Sequence, residues 1–297
     1  MNRTGVALFF LMLLQLALVA MFYQLELGEQ DKLARNALVD TGAYVVDEII
    51  LTDESGTSLQ LRRVGERWLL PKLGNLPADA ARVDALVQQL TQADPGWSVA
   101  HSPAARQRFL VAHYHFRRKL VLSALDRELG TVYLGTSPGY RTVHARNDAA
   151  ENIYAVTLNL FELPVDAGKW LDPRLLQVRA PVAINADGYT LQRHSGDWQL
   201  GSGATPDPRE LQALLDALRH IQVQGVASST TRAALASVEA DLILQVQGLA
   251  GSVELKLFTR DSEHYVSSSE YPYLFLISAY DFDKLTGIDS LLISGAQ

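Results

Sequence analysis

One supersecondary pattern occurs twice in this chain, and that constrains the fold more than any other feature. Leu59, Leu61, Arg63 and Trp68 form one series; Tyr189, Leu191, Arg193 and Trp198 repeat its spacing 130 residues later. Each series reads as a two-stranded hairpin, SLQLRRVGERWLL and GYTLQRHSGDWQL. The turns fall at Val64-Gly65-Glu66 and His194-Ser195-Gly196-Asp197, where glycine and short polar residues accept tight backbone geometry. An amphipathic helix follows in both copies. Val83, Leu86, Val87 and Leu90 stand 4, 7, 8 and 11 residues after Asp79, and Leu211, Leu214, Leu215 and Leu218 stand at the same distances after Asp207. That spacing is a single helical stripe. Asp207-Pro208-Arg209-Glu210 is a start signal, with a capping carboxylate, proline at the first helical position and glutamate at the third.

Four strands come next in each copy. They are KLVLSAL, TVYLG, TVHAR and IYAV in the first, and DLILQV, SVELKLF, HYVSS and LFLI in the second. A short apolar segment closes each copy: Tyr154, Val156 and Phe161 match Phe275, Ile277 and Phe282 at an offset of 121. The offset shrinks along the chain, so the second copy has the shorter loops. The predicted fold class is α+β: a single N-terminal transmembrane helix, then two tandem repeats of an antiparallel sheet with one packed helix. The repeats are placed at 45–171 and 182–297, joined by a linker over 172–181. Trp68 and Trp198 are expected as core residues at the helix–sheet seam.

The predicted anchor occupies residues 1–24 with a short cytoplasmic tip, and a membrane-proximal spacer covers 25–44. Val6–Tyr23 reads VALFFLMLLQLALVAMFY, in which Gln15 is the only strongly polar side chain. Eighteen helical residues span roughly 27 Å, close to a bilayer's hydrocarbon thickness. Arg3 precedes the run and Glu26, Glu29 and Asp31 follow it, which keeps the amino terminus inside and exports the rest. A cleaved signal peptide is the competing reading. The run is long for one, and Leu18-Val19-Ala20 is a poor cleavage site. The expected location is therefore the inner membrane, single-pass, with the bulk of the chain in the periplasm. The chain has no cysteine, so the exported part must be stable without disulfides. That also removes thiolate metal sites and cysteine nucleophiles. The 26 basic against 33 acidic residues, a formal charge of −7, argue against a nucleic-acid partner.

The anchor, the Gly65-to-Trp68 hairpin, the Asp79–Leu90 helix and the strands around His144-Ala145-Arg146 and Ile153-Tyr154-Ala155-Val156 carry a resemblance. The chain resembles domain-of-unknown-function family 4340, membrane-anchored periplasmic proteins often found with ABC-2-type, gliding-motility-auxiliary-like transporter components. The resemblance covers the chain from about Ile49 to the end. It implies a partner, an integral-membrane or ABC-transporter protein, and no chemistry.

Catalytic motifs are missing. There is no P-loop, no strand-to-helix GxGxxG, no GxSxG elbow and no HExxH. His113-Tyr114-His115 would put two imidazoles on one strand face, but a metal site needs a third ligand and no carboxylate is placed for it. No metal and no cofactor are predicted. The candidate interaction surface is Arg117, Arg118, Lys119, Tyr140, Arg141, Arg146, Tyr271 and Tyr273. The first three are the basic cluster of an acidic chain and suit anionic lipid headgroups, an acidic partner or an anionic envelope polymer. The plainer reading is an edge strand kept from pairing by its charge. Tyr140-Arg141 with Arg146, and the Glu270-Tyr271-Pro272-Tyr273 turn, offer aromatics beside charge, a combination favoured at interfaces. The plainer reading there is turn packing.

The expected function is that of a non-catalytic accessory subunit in an envelope or ABC-transporter-type complex. A ligand- or glycan-binding module using a cleft between the repeats is the alternative. An envelope hydrolase with a dispersed site ranks last.

Overall fold

The computed structural model describes residues 37–249 and 251–295, together with Met12, Gln15, Leu16 and Val19. Two large antiparallel sheets, of nine and eight strands, make up most of it. The chain divides into two compact units that are discontinuous in sequence. The first draws on Met1–Glu66 and Ala81–Val165, the second on Arg67–Ala80 and Asp166–Gln297.

The first unit opens with the hairpin of β1 (Glu48–Asp53) and β2 (Ser58–Val64), in which Ile49 faces Leu61 and Leu51 faces Leu59. All four are fully buried, so strand alternation sends one apolar face inward. Asp53 closes the turn by accepting from the Ser55 and Thr57 amides at 2.9 and 3.0 Å. Strands β3 (Arg67–Leu70) and β4 (Leu76–Pro77) belong to the second unit. Helix Ala80–Thr91 buries Val83, Leu86 and Leu90, three positions of its apolar stripe. Then come β5 (Ser98–Ala100), helix Pro103–Arg108 and the short hairpin of β6 (Val111–Ala112) and β7 (His115–Phe116). Strands β8 (Arg118–Ala124), β9 (Arg127–Leu134), β10 (Val143–Asn147) and β11 (Ile153–Val156) complete it. Within this unit the strand order is β2-β1-β8-β9-β10-β11-β5. Val111, Tyr133 and Ile153 form a small core, with Phe109 and Phe116 packed against it.

The second unit contains β12 (Pro181–Ala186), β13 (Tyr189–His194), β14 (Asp197–Leu200), β15 (Val223–Val226), β16 (Leu242–Gly248), β17 (Gly251–Arg260), β18 (Glu263–Ser268) and β19 (Tyr271–Ile277). Its order is β14-β13-β12-β16-β17-β18-β19-β15. The seven strands from β13 to β15 therefore repeat the order of the first unit strand for strand. Helix Pro208–His220 is capped by Asp207, which accepts from the Arg209 and Glu210 amides, and it buries Leu214, Leu215 and Leu218. Helix Ala279–Thr286 lies beside it, and Phe282 stacks on His264 of β18 with 4.3 Å between ring centroids. Helix Ser229–Leu235 contributes Leu235 to a separate core with Phe258, Tyr265 and Leu274. Residues 67–80 join this unit through an Ala78–Leu171 bridge and an Asp79 amide bond to the Trp170 carbonyl at 2.8 Å. Trp68 and Trp170 are both fully buried, whereas Trp198 is half-buried.

The predicted fold class requires correction. Sheets dominate, and there is more than one helix for each sheet. Among the described residues no helix is long and apolar enough to cross a membrane. The expected transmembrane helix at Val6–Tyr23 lies outside the described residues except for Met12, Gln15, Leu16 and Val19. The extra helices at 103–108, 229–235, 279–286 and 290–294 are short and weakly apolar. Each is nonetheless opened by a side-chain cap, from Ser102, Ser228, Ser278 and Asp289. Capping supplies an acceptor for amides that have no partner in the first turn, which is enough to fix a helix too short for a periodicity argument. Of the expected spacer, residues 25–36 lie outside the described residues, while Leu38 and Val39 are buried and the Val39 amide bonds the Leu90 carbonyl at 2.9 Å.

Candidate interaction groove

The registers of the second sheet stack its side chains in rows. Ile243 faces Lys256, Lys256 faces Ser267, and Ser267 faces Leu274. This row runs across β16, β17, β18 and β19 and forms the floor of a groove enclosing about 490 Å³. The wall is helix Ser229–Leu235 and the turn after it, which contribute Leu235, Val238 and Ala240. On one side the next row, Phe258 with Tyr265, is apolar and buried. On the other side the next row is polar. Thr190 donates to Asn185 at 3.0 Å, Asn185 to Gln245 at 3.4 Å and Gln245 to Glu254 at 3.3 Å. Lys256 closes this chain with a 3.0 Å ion pair to Glu254. The Lys256 ammonium, with the Gln245 amide, holds the Glu254 carboxyl below the usual carboxylate range. One sheet face thus passes from greasy to charged within three rows, and the groove lies at the transition.

Two of the residues singled out from sequence bear on this site. Tyr271 lines the groove beside Pro272, whose carbonyl accepts from Arg232 at 2.9 Å. Burial, followed by the charge of Glu270, pushes the Tyr271 hydroxyl above its ordinary pKa. Tyr273 also lines the groove, and its hydroxyl lies 3.0 Å from where a Cβ on Gly74 would be. Gly74 has φ +60°, so this position favours glycine twice over.

The remaining candidates belong to the first unit. Arg117 pairs with Glu54. Arg118 donates to the Leu163 carbonyl at 2.8 Å, and Lys119 lies between Thr52 and Tyr133 in the sheet. Arg118 and Lys119 are half-buried in β8, a strand with neighbours on both sides, so the edge-strand reading does not describe them. Tyr140 is 91% exposed on a turn, and Arg141 beside it pairs with Glu162 at 3.3 Å. Arg146 is not a surface residue. It is 3% exposed, and its guanidinium lies 5.1 Å from the Tyr133 ring centroid. Strand alternation points its side chain into the small core under β6 and β7, away from solvent. His113 and Tyr114 form the turn between β6 and β7 rather than a strand, so alternation does not align His113 with His115. Among the described residues no group of three metal-ligating side chains occurs.

The row Ile243–Lys256–Ser267–Leu274 was missed from sequence. Its signal was the offset of 121 between copies, which matches Ile153 with Leu274 and Arg146 with Ser267.

A family model described as Domain of unknown function (DUF4340) matches residues 68–242, more than half of the 297-residue chain. The chain belongs to this family. The DUF4340 match begins at Trp68 and ends in β16, so Lys256, Ser267 and Leu274 lie beyond it. No curated protein and no solved structure matches the chain.

Proposed function

We propose that this DUF4340 chain is a non-catalytic accessory subunit that holds a partner protein in an envelope complex of ABC-transporter type. It works at the inner membrane with its bulk in the periplasm. One observation carries this reading: the groove floored by Ile243, Lys256, Ser267 and Leu274 offers apolar surface, with Leu235 and Val238, beside the charged side chains of Arg232, Glu239 and Lys256. Interfaces favour that combination, because an apolar anchor supplies affinity and a polar rim supplies register. The location rests on the apolar run Val6–Tyr23 and on Arg3 before it.

The test is purification of the tagged full-length chain in mild detergent. An integral-membrane protein is expected to co-purify stoichiometrically with the wild type. Recovery of the chain alone, or recovery from the cytosolic fraction, overturns the reading.

A second reading, glycan binding, is favoured by the two amides Asn185 and Gln245 and the carboxylate of Glu254, which line an open polar hollow of about 510 Å³. Ligands that bind only the folded state raise its melting temperature. Envelope glycans are expected to do so here, and Gln245→Ala is expected to cancel the shift.

A further inference from the structure

The two copies differ at one place, and the first copy shows what the second lacks. By sheet register, Lys119 faces Tyr133 and Tyr133 faces Arg146, with Ile153 next on β11. Matching the two strand orders places this row on Ile243, Lys256, Ser267 and Leu274 of the second unit. In the first unit the row is covered by the chain's own segment 109–116. Val111 is fully buried against Tyr133 and Ile153, and the Phe116 ring lies 5.5 Å from that of Tyr133. The segment is tied down through its backbone: Arg146 Nε donates to the Val111 carbonyl, and the Thr136 amide donates to the Phe109 carbonyl, both at 2.9 Å.

In the second unit the corresponding connection runs from Ala236 to Asp241. It contains no strand, no aromatic and no apolar side chain larger than Val238. The place held by Val111 and Phe116 is the open groove. The helices before the two connections correspond, since Ser102 and Ser228 cap them in the same way, each accepting from the amide three residues on. The difference therefore lies in the missing cover.

We infer that the groove of the second unit takes an extended apolar segment of a partner polypeptide, replacing in trans the cover that residues 109–116 supply in cis. The inference rests on the accessory-subunit reading and adds the chemistry of the contact. A branched or aromatic side chain fills the space over Ile243 and Leu274. A backbone carbonyl of the segment faces Lys256 and Ser267, as the Val111 carbonyl faces Arg146.

The probe is a synthetic peptide of residues 109–117, titrated into the full-length wild-type chain by calorimetry. Saturable binding is expected. It should weaken at least tenfold in Ile243→Glu, a residue that is 38% exposed. It should weaken similarly in Ala240→Trp, which fills the groove with an apolar group, and in a peptide carrying Val111→Asp and Phe116→Asp. Melting curves of both chain variants control for folding. No binding, or equal binding by Ile243→Glu and Ala240→Trp, overturns the inference. So does concentration-dependent self-association of the wild type that Ile243→Glu abolishes, because the occupant is then a second copy. Binding to phosphatidylglycerol vesicles that displaces the peptide overturns it in favour of lipid. A partner that co-purifies equally with wild type and Ile243→Glu leaves the accessory reading standing and removes this one. Peptide binding without any co-purifying partner does the reverse.

Discussion

Arg146 and Val111 are joined by a 2.9 Å hydrogen bond from the guanidinium Nε to the main-chain carbonyl, which fastens β10 to the hairpin above it. The same guanidinium donates to the carbonyls of Asn147, Asp148 and Ala150 and pairs with the Asp148 carboxylate at 3.1 Å. Removing the side chain leaves the buried Val111 carbonyl and three part-buried carbonyls without this donor. Arg146→Ala is expected to cost about 3 kcal/mol. Arg146→Lys should recover only part, because an ammonium has no planar fork. Urea denaturation checks this; a loss below about 1 kcal/mol would remove the bolt role.

His144 is buried, stacks on Phe109 at 4.1 Å between centroids, and hydrogen-bonds Thr136 through Nδ1 at 2.9 Å. Burial, with Arg108 nearby, holds its pKa below the ordinary imidazole value. The unfolded chain therefore takes the proton first as pH falls. The stability linked to His144 is complete above the unfolded pKa of about 6.5 and is lost as pH falls from there through the lower folded pKa. His144→Asn should flatten the fall in melting temperature between about pH 7 and pH 5 relative to wild type. Parallel pH profiles for the two proteins would disprove the assignment.

The Tyr189 hydroxyl is buried with no hydrogen-bond partner among the described residues, and burial pushes its pKa up to about 12. Tyr189→Phe removes an unsatisfied group without opening a cavity. It is expected to be neutral or to stabilise by up to about 1 kcal/mol. The alkaline limb should change as well. Above about pH 10 the unfolded tyrosine ionises while the folded one does not, so wild-type stability falls, and the variant escapes that loss. Thermal melts at neutral and alkaline pH measure both effects.

Asp207 accepts from the amides of Arg209 and Glu210 at 2.8 and 3.1 Å, with Pro208 at the first helical position. Asp207→Ala should cost about 1 kcal/mol, and Asp207→Asn much less, since asparagine is an equally good cap. The denaturation midpoint should order the three proteins accordingly, and equal midpoints would show that the cap adds nothing.

What the sequence disclosed follows from pattern length. The eight strands after the helices were legible because each is a run of four or more residues with apolar side chains in it, and β8 to β11 and β16 to β19 fall on them. The stripes ending at Leu90 and Leu218 were legible because eleven residues suffice to show a helical period. The short elements were not. β5, β6, β7 and β15 have two to four residues and are held by neighbouring strands rather than by propensity. Arg146 reads as surface because charge usually is; only the register beside Tyr133 shows that it is enclosed. The groove is not legible in the spacings for a further reason: it arises where the two copies differ, and matched spacings record only what they share.

Residues 67–80 belong to the second compact unit although 85 residues of the first, Ala81–Val165, follow them in the chain. During synthesis Trp68 emerges from the ribosome long before Trp170 exists. The nascent polypeptide must hold residues 67–80 apart from the compact unit they join until the later half arrives. A scissors cut anywhere in 172–181 would yield one fragment bearing an orphaned greasy strip and another with a gap, so two-hybrid or expression work that halves the gene there would be handling two broken pieces.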